Sequence, residues 1–502
     1  MDRSAHDDFV SDNSVSLEDA GIEKGMVKEE ALRDSRTGEV FHSANDEALA
    51  KQPAKGLVED RAAIRKKIIN LALPALVEQT LMTMVSMADM IMVGRLGPWA
   101  IAAVGLSSQP MFVAMSVFIA LNVGATALVA RFVGAGEPDE ASKVARQALM
   151  IAVIMGLALA VIGVSFSGQI LHFMGAEEDV IGPGTGYLKV VCLGLPVWAV
   201  TISLTAALRG AGDTRTPMTV NIVANLVNVI GNYLLIHGHL GLPRLEVTGA
   251  GLATTISRVV ASVLILTKVL KGGKVIKISI HDSFRFDSQI IKRILNVGIP
   301  AAIEQVVMRS GQMTFARIVS SLGTNTYAAH QIALNIEGFT FTPGMSFQIA
   351  STTLVGQSLG ARNPDRAEQV GWEAVRIGAS IGVIVGILYF AFGSQLAHLY
   401  TDDPAVTALA AGALKIIALS QPFMISMFIL IGGLRGAGDT RWTLLITMLG
   451  FWGIRVVTAY FLAIRLNLGL YGAWIGMALD MVVRSVLGVL RFRAGGWKHT
   501  RV

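Results

Sequence analysis

From Ile68 onward, apolar runs of about 20 residues follow one another to the end of the chain, separated by short polar loops. A run of that length crosses a ~30 Å hydrocarbon core as an α-helix. The runs are continuous and do not alternate in polarity, which argues against spanning strands. Twelve spans are expected, over 68–93, 102–128, 146–167, 186–208, 216–237, 247–269, 291–318, 328–354, 372–393, 408–433, 441–463 and 470–491. The fold class is therefore an all-α membrane protein. Of the residues, 53% are hydrophobic and 16% charged, where a soluble chain carries roughly 25% charged. The single cysteine, Cys192, excludes an internal disulfide.

The chain repeats itself at an offset of 226 residues. LRGAGDTR stands at Leu208–Arg215 and again at Leu434–Arg441. Pro74, Glu78 and Gln79 return as Pro300, Glu304 and Gln305, and Gly134 and Pro196 as Gly360 and Pro422. Six spans per repeat make the two halves parallel in the membrane, the architecture of secondary transporters with a substrate site between the halves.

Charge divides the chain further. Residues 1–60 hold 15 acids and 7 bases and read as a disordered acidic cytoplasmic tail. No apolar segment near Met1 suggests a signal peptide. The bases of the remainder fall in short loops between spans, which weakens a nucleic-acid reading and predicts both termini cytoplasmic. The expected domains are an N-lobe over 61–271, an inter-lobe loop over 272–290, a C-lobe over 291–496 and a C-terminal tail over 497–502.

Ionisable residues inside spans are costly unless paired or facing a cavity. Glu78 and Asp89 share one face of span 1, about three turns apart. Span 5 carries Asn221, Asn225, Asn228 and Asn232, the last three on one stripe. Such oxygens suit Na⁺ or a proton-bearing network. Glu337 lies in span 8 near Pro343, Asp480 and Arg484 form an i,i+4 pair, and Arg258 and Arg317 sit close enough to helix ends to snorkel. Asp213 and Asp439 of the repeated turns are placed to cap the following helices. Met82, Met84, Met87, Met90 and Met92 stand on two faces of span 1; their flexible thioethers suit a cavity that accepts many shapes, with some of them facing lipid. No Walker A or HExxH motif is present, so ATP-driven pumping and zinc hydrolysis lack support.

ADMIMVGRLGPWAIAAVG at 88–105, TTLVGQSLGARNPDRA at 352–367, both LRGAGDTR turns and RFRAGGW at 491–497 resemble the multidrug and toxic compound extrusion (MATE) family, bacterial NorM-like members above all. The resemblance covers about residues 61–500. It implies two six-helix lobes, a central cleft lined by helices 1, 2, 7 and 8, and cation-coupled export of organic, mainly cationic, drugs by alternating access. It further implies a multi-pass protein of the plasma (inner) membrane, with the bilayer and small-molecule drugs as partners and no cofactor beyond a coupling ion, H⁺ or Na⁺. A monomer is expected. The family's N-lobe cation site maps onto Asp89, Asn228, Asn232 and Thr254. Asn232 stands where better-known members have an acid. The NorM-type C-lobe site does not carry over, since its helix 7 position is Met308 and 408–433 holds no acid. Substrate contacts are expected at Glu78, Gln79, Glu304, Gln305 and Glu337, with Glu78 and Glu304 flanking a cation across the cleft. For Glu304, internal pairing with Arg309 or a helix 8 group is the competing reading. A lipid-linked saccharide flippase of the same wider superfamily and a membrane enzyme acting on lipid-linked substrates are the alternative functions.

Overall fold

Prolines and short polar side chains mark where the helices begin. Pro98, Pro138, Pro364 and Pro404 each stand in the first turn of a helix, where a missing N–H costs no hydrogen bond. Asp60 and Asp287 cap two others, and Asn363 and Asp403 cap two of these same helices, by accepting from first-turn amides. The computed structural model describes residues 60–500, apart from 273, 274, 280, 281, 283 and 284, and the backbone of two short strands nearer the N-terminus. Those strands, β1 (Leu32–Arg33) and β2 (Val40–Phe41), pair antiparallel. The tail expected over 1–60 otherwise lies outside the described residues.

Twelve spans follow. They are α1 (Arg61–Gly94), α2 (Pro98–Ala135), α3 (Pro138–Ser165), α4 (Glu178–Leu193 and Leu195–Gly210), α5 (Arg215–His237) and α6 (Glu246–Leu270). The second half supplies α7 (Ser288–Ser320), α8 (Thr324–Gly360), α9 (Pro364–His398), α10 (Pro404–Ala418 and Gln421–Gly436), α11 (Thr440–Arg465) and α12 (Gly469–Arg493). Eight of these are long and apolar enough to cross a bilayer, and α4 and α10 join them as bent pairs. The remaining two, α7 and α8, are 33 and 37 residues long. They are less apolar because they carry Glu304, Gln305, Arg309, Gln312 and Glu337.

Two expected spans are not single helices. α4 bends by 47° at Gly194 and α10 by 56° at Leu419–Ser420, each just before a repeated proline, Pro196 or Pro422. α11 loosens into π-helical turns over Leu449–Val456 and Phe461–Arg465.

The lobes exchange the first parts of their first helices. Ile64, Ile68 and Ala72 of α1 lie in the C-lobe core with Phe347, Val355, Val370 and Ile429. Ile290, Ile294 and Val297 of α7 lie in the N-lobe core with Leu121, Leu128, Val144 and Leu208. In both helices the exchange stops just before the proline, Pro74 or Pro300. The boundaries 61–271 and 291–496 therefore describe the repeat but not the packing. The inter-lobe loop belongs with the N-lobe: Ile276 and Ile278 are buried there, and Lys277 N donates to Ser142 Oγ at 3.1 Å.

Residues 497–500 are not a free tail. Trp497 is buried and stacks on Phe492 with ring centroids 4.5 Å apart. Lys498 Nζ lies 2.7 Å from Glu368 and 3.5 Å from Asp365 at the start of α9. The bond to Glu368 holds the Lys498 ammonium above its ordinary pKa.

Candidate functional site

Glu78 and Asp89 on α1 each meet an asparagine of α5. Asn221 Nδ2 donates to Glu78 Oε1, and Asn232 Nδ2 to Asp89 Oδ1, both at 2.5 Å. Each contact joins residues 143 positions apart, because α1 and α5 run parallel in register. From Asn232 the network continues. Asn232 Nδ2 also donates to Asn228 Oδ1 and Asn228 Nδ2 to Thr254 Oγ1, each at 3.3 Å, and the Thr254 hydroxyl donates to Ala250 O at 3.0 Å. The structure thus brings Asp89, Asn228, Asn232 and Thr254 together from α1, α5 and α6. One carboxylate, two carboxamides and a hydroxyl are hard oxygen donors, suited to a monovalent cation or a proton. Asn232 Oδ1 is buried and has no hydrogen-bond partner among the described residues.

The two α1 acids differ in what answers their charge. Arg209 Nη2 lies 2.8 Å from Glu78 Oε1. Asp89 has no basic partner among the described residues; its bond is to a neutral amide.

The C-lobe repeats the Glu78 arrangement without the Asp89 one. Arg435 Nη2 lies 3.0 Å from Glu304 Oε2, while Thr443 and Thr447 donate to the same carboxylate at 2.9 and 2.8 Å. Arg435 is the repeat of Arg209 and Thr447 that of Asn221. Where Asp89 and Asn232 stand, the C-lobe has Phe315 and Thr458. Glu304 is therefore paired internally, with the second LRGAGDTR arginine rather than with Arg309 or a helix 8 group. Both oxygens of Glu304 are held, whereas Glu78 Oε2 is buried without a hydrogen-bond partner among the described residues.

The repeated octapeptide does more than cap. Asp213 does cap α5, accepting from Thr216 N at 2.9 Å, but Asp439 pairs with Arg491 at 2.8 Å and makes no capping bond. The carbonyls of both turns accept bonds from the opposite lobe. Arg131 Nη2 donates to Ala437 O and to Thr500 O at 2.9 Å, and Gln357 Nε2 to Gly210 O at 3.0 Å. Residues 131 and 357 are themselves repeats of one another. At the same end, a Cβ on Gly134 would lie 2.0 Å from Gln357 O, and one on Gly360 2.0 Å from Arg131 O. The lobes are closed at this end by a symmetric pair of backbone contacts.

A cavity of about 330 Å³ opens between α2, α7, α8, α10, α11 and α12. Six methionines line it (Met115, Met308, Met345, Met424, Met427 and Met481), together with Phe112, Phe341, Phe428 and Phe451. Glu304 and Gln305 line it; Glu78, Gln79 and Glu337 do not. Gln79 is half-buried on α1. Glu337 is buried, and its Oε1 has no hydrogen-bond partner among the described residues. Arg455 closes the far wall: its Nη2 lies 2.8 Å from Asp480, which Arg484 also holds at 2.7 Å. Arg258 does not snorkel but stacks on Trp198 at 4.6 Å and donates to Val191 O. None of the five α1 methionines lines the cavity. The methionines that do are scattered over five helices, so no local run in the sequence announces them.

The MatE family model matches residues 74–234 and 300–461. A probable multidrug resistance protein NorM of Thermotoga maritima is 34% identical over 451 residues, covering 88% of this chain and 95% of that protein. Multidrug resistance protein PmpM of Pseudomonas aeruginosa is 30% identical over 450 residues, covering 87% and 92%. Among solved structures, a MATE in complex with MaD3S superposes with a TM-score of 0.81 at 25% identity, covering 86% of this chain and 96% of that one. The matched segments fall one in each six-helix half, and the twelve spans and the two lobes agree with them: this chain belongs to the MatE family of membrane transporters.

Proposed function

We propose that this chain is a secondary active multidrug exporter that exchanges organic compounds for H⁺ or Na⁺ by alternating access. The carrying observation is that Asp89, alone of the three acids Glu78, Asp89 and Glu304, has no arginine partner among the described residues. A carboxylate inside a bundle whose charge is left unanswered is a place for a cation to bind or a proton to settle. Asn228, Asn232 and Thr254 supply the further oxygens. The methionine- and phenylalanine-lined cavity, on different helices, suits organic bodies of varied shape. Ion and substrate thus occupy separate places, joined by a rearrangement of the lobes. The names of the relatives support multidrug export. The basic loops support a plasma-membrane orientation with both ends cytoplasmic, in which this structure is closed toward the cytoplasm.

Reconstituted protein, with H⁺ and Na⁺ gradients imposed separately, tests the reading. Wild type should move an apolar dye under one of them. Asp89→Asn should fold and insert normally yet lose the gradient-driven component. Gradient-driven transport at the wild-type rate in that variant would take the ion site away from Asp89.

A further inference from the structure

The walls of the cavity carry more guanidinium than carboxylate. Arg309, Arg435, Arg455 and Arg484 line it, against Glu304 alone. Two acids stand behind the wall: Asp480, which does not line the cavity, and Glu337, within electrostatic reach of Arg455. Counting both as ionised, guanidiniums still outnumber carboxylates by four to three. Two of the three carboxylates are also committed, and the third, Glu337, is buried and does not line the cavity. Glu304 is bound to Arg435, Thr443 and Thr447, and Asp480 to two arginines.

Arg309 is different. It is exposed, it lies over the Phe112 ring at 4.9 Å, and its one side-chain hydrogen bond, to Gln312, is 3.4 Å long. Among the described residues it has no acid partner. It is the one guanidinium of the four that can turn its fork to a ligand without breaking an ion pair. Arginine matches a carboxylate or sulfonate with two parallel N–H donors. The surrounding lining is apolar and polarizable, so a charge placed there is screened less than in water.

We propose that the cavity takes amphipathic organic anions, their acid group on Arg309 and their apolar body among the methionines and phenylalanines, in preference to organic cations. This names the substrate class of the site described above and rests on its being an export site. An organic cation of the same shape would meet an excess of positive charge and no unpaired carboxylate on the cavity wall.

The test uses two probes with one apolar body, 1-pyrenebutyrate and 1-pyrenebutyl-trimethylammonium, and their neutral alcohol. Binding to the purified full-length protein is read from pyrene fluorescence. Wild type should bind the butyrate more tightly than the ammonium compound. Arg309→Gln should weaken the butyrate roughly tenfold or more, the loss of a charge-assisted bond, and leave the alcohol unchanged. Arg309→Glu should reverse the preference. A wild-type preference for the ammonium compound, or an equal loss of all three probes in Arg309→Gln, would overturn the proposal. If Arg309→Gln folds poorly, Met345→Trp, which fills the cavity, should abolish butyrate binding; binding that persists would place the anion elsewhere. Transport separates the two readings. Gradient-driven movement of the alcohol without anion preference overturns the polarity alone. Anion-selective binding with no transport of any probe overturns export alone.

Discussion

Asp89 and Glu304 show how one functional group, a carboxylate inside the bundle, is met in two different ways. Glu304 has an arginine and two hydroxyls around it; Asp89 has one amide and, among the described residues, no base. Removing one partner of a buried ion pair strands the other charge, at a cost of about 3–5 kcal/mol. Arg435→Met should therefore lower the melting midpoint of the detergent-solubilised protein markedly. Adding Glu304→Gln should recover most of the loss, since no bare charge then remains. If the double variant melts as low as the single one, Arg435 is stabilising through packing and not through Glu304. The sequence pointed to Arg309 or a helix 8 group instead, yet it carries a signal for the pair that forms. Glu78 and Arg209 stand 131 residues apart, Glu304 and Arg435 also 131, and a duplicated spacing between a buried acid and a base is a pair written twice. The Asp89–Asn228–Asn232–Thr254 grouping was legible through the asparagine stripe and the family pattern. The cavity lining was not, because single methionines on separate helices converge only once the helices are packed.

At the scale of elements, the repeat holds down to individual breaks. The bend in α4 and the bend in α10 fall 226 residues apart, as do Gly134 and Gly360. Hydropathy placed all twelve spans but treated α4 and α10 as continuous, since a run of apolar residues looks the same whether or not it bends. The glycines matter because α2 and α8 meet there backbone to backbone. Gly134→Leu or Gly360→Leu puts a side chain where a carbonyl oxygen now sits. The variant should insert and bind substrate but be unable to close this end. Distances between spin labels on exposed positions of the two lobes near the LRGAGDTR turns should lengthen, and transport should fall to background. Unchanged distances with normal transport would mean the contact is incidental to closure.

For the whole molecule, the exchanged segments decide what counts as a unit. Each six-helix half lacks a piece of its own core, Ile64, Ile68 and Ala72 on one side and Ile290, Ile294 and Val297 on the other. Helical periodicity cannot reveal this, because an apolar face reads alike whichever lobe it packs on. If the chain is divided within 272–290, either half expressed alone should be degraded or aggregate, whereas co-expression should return a transport-competent pair. A half that is stable by itself would show the exchange to be dispensable. The same arrangement governs the order in which the protein can finish itself during synthesis. Ile64 is among the first residues of α1 to leave the ribosome, yet its neighbours in the core begin at Phe347 and extend to Trp497. At about 5–20 residues per second, roughly a quarter of a minute to a minute and a half separates the two. For that interval the first turns of the first helix wait at the membrane, unpacked, until the last helices arrive to receive them.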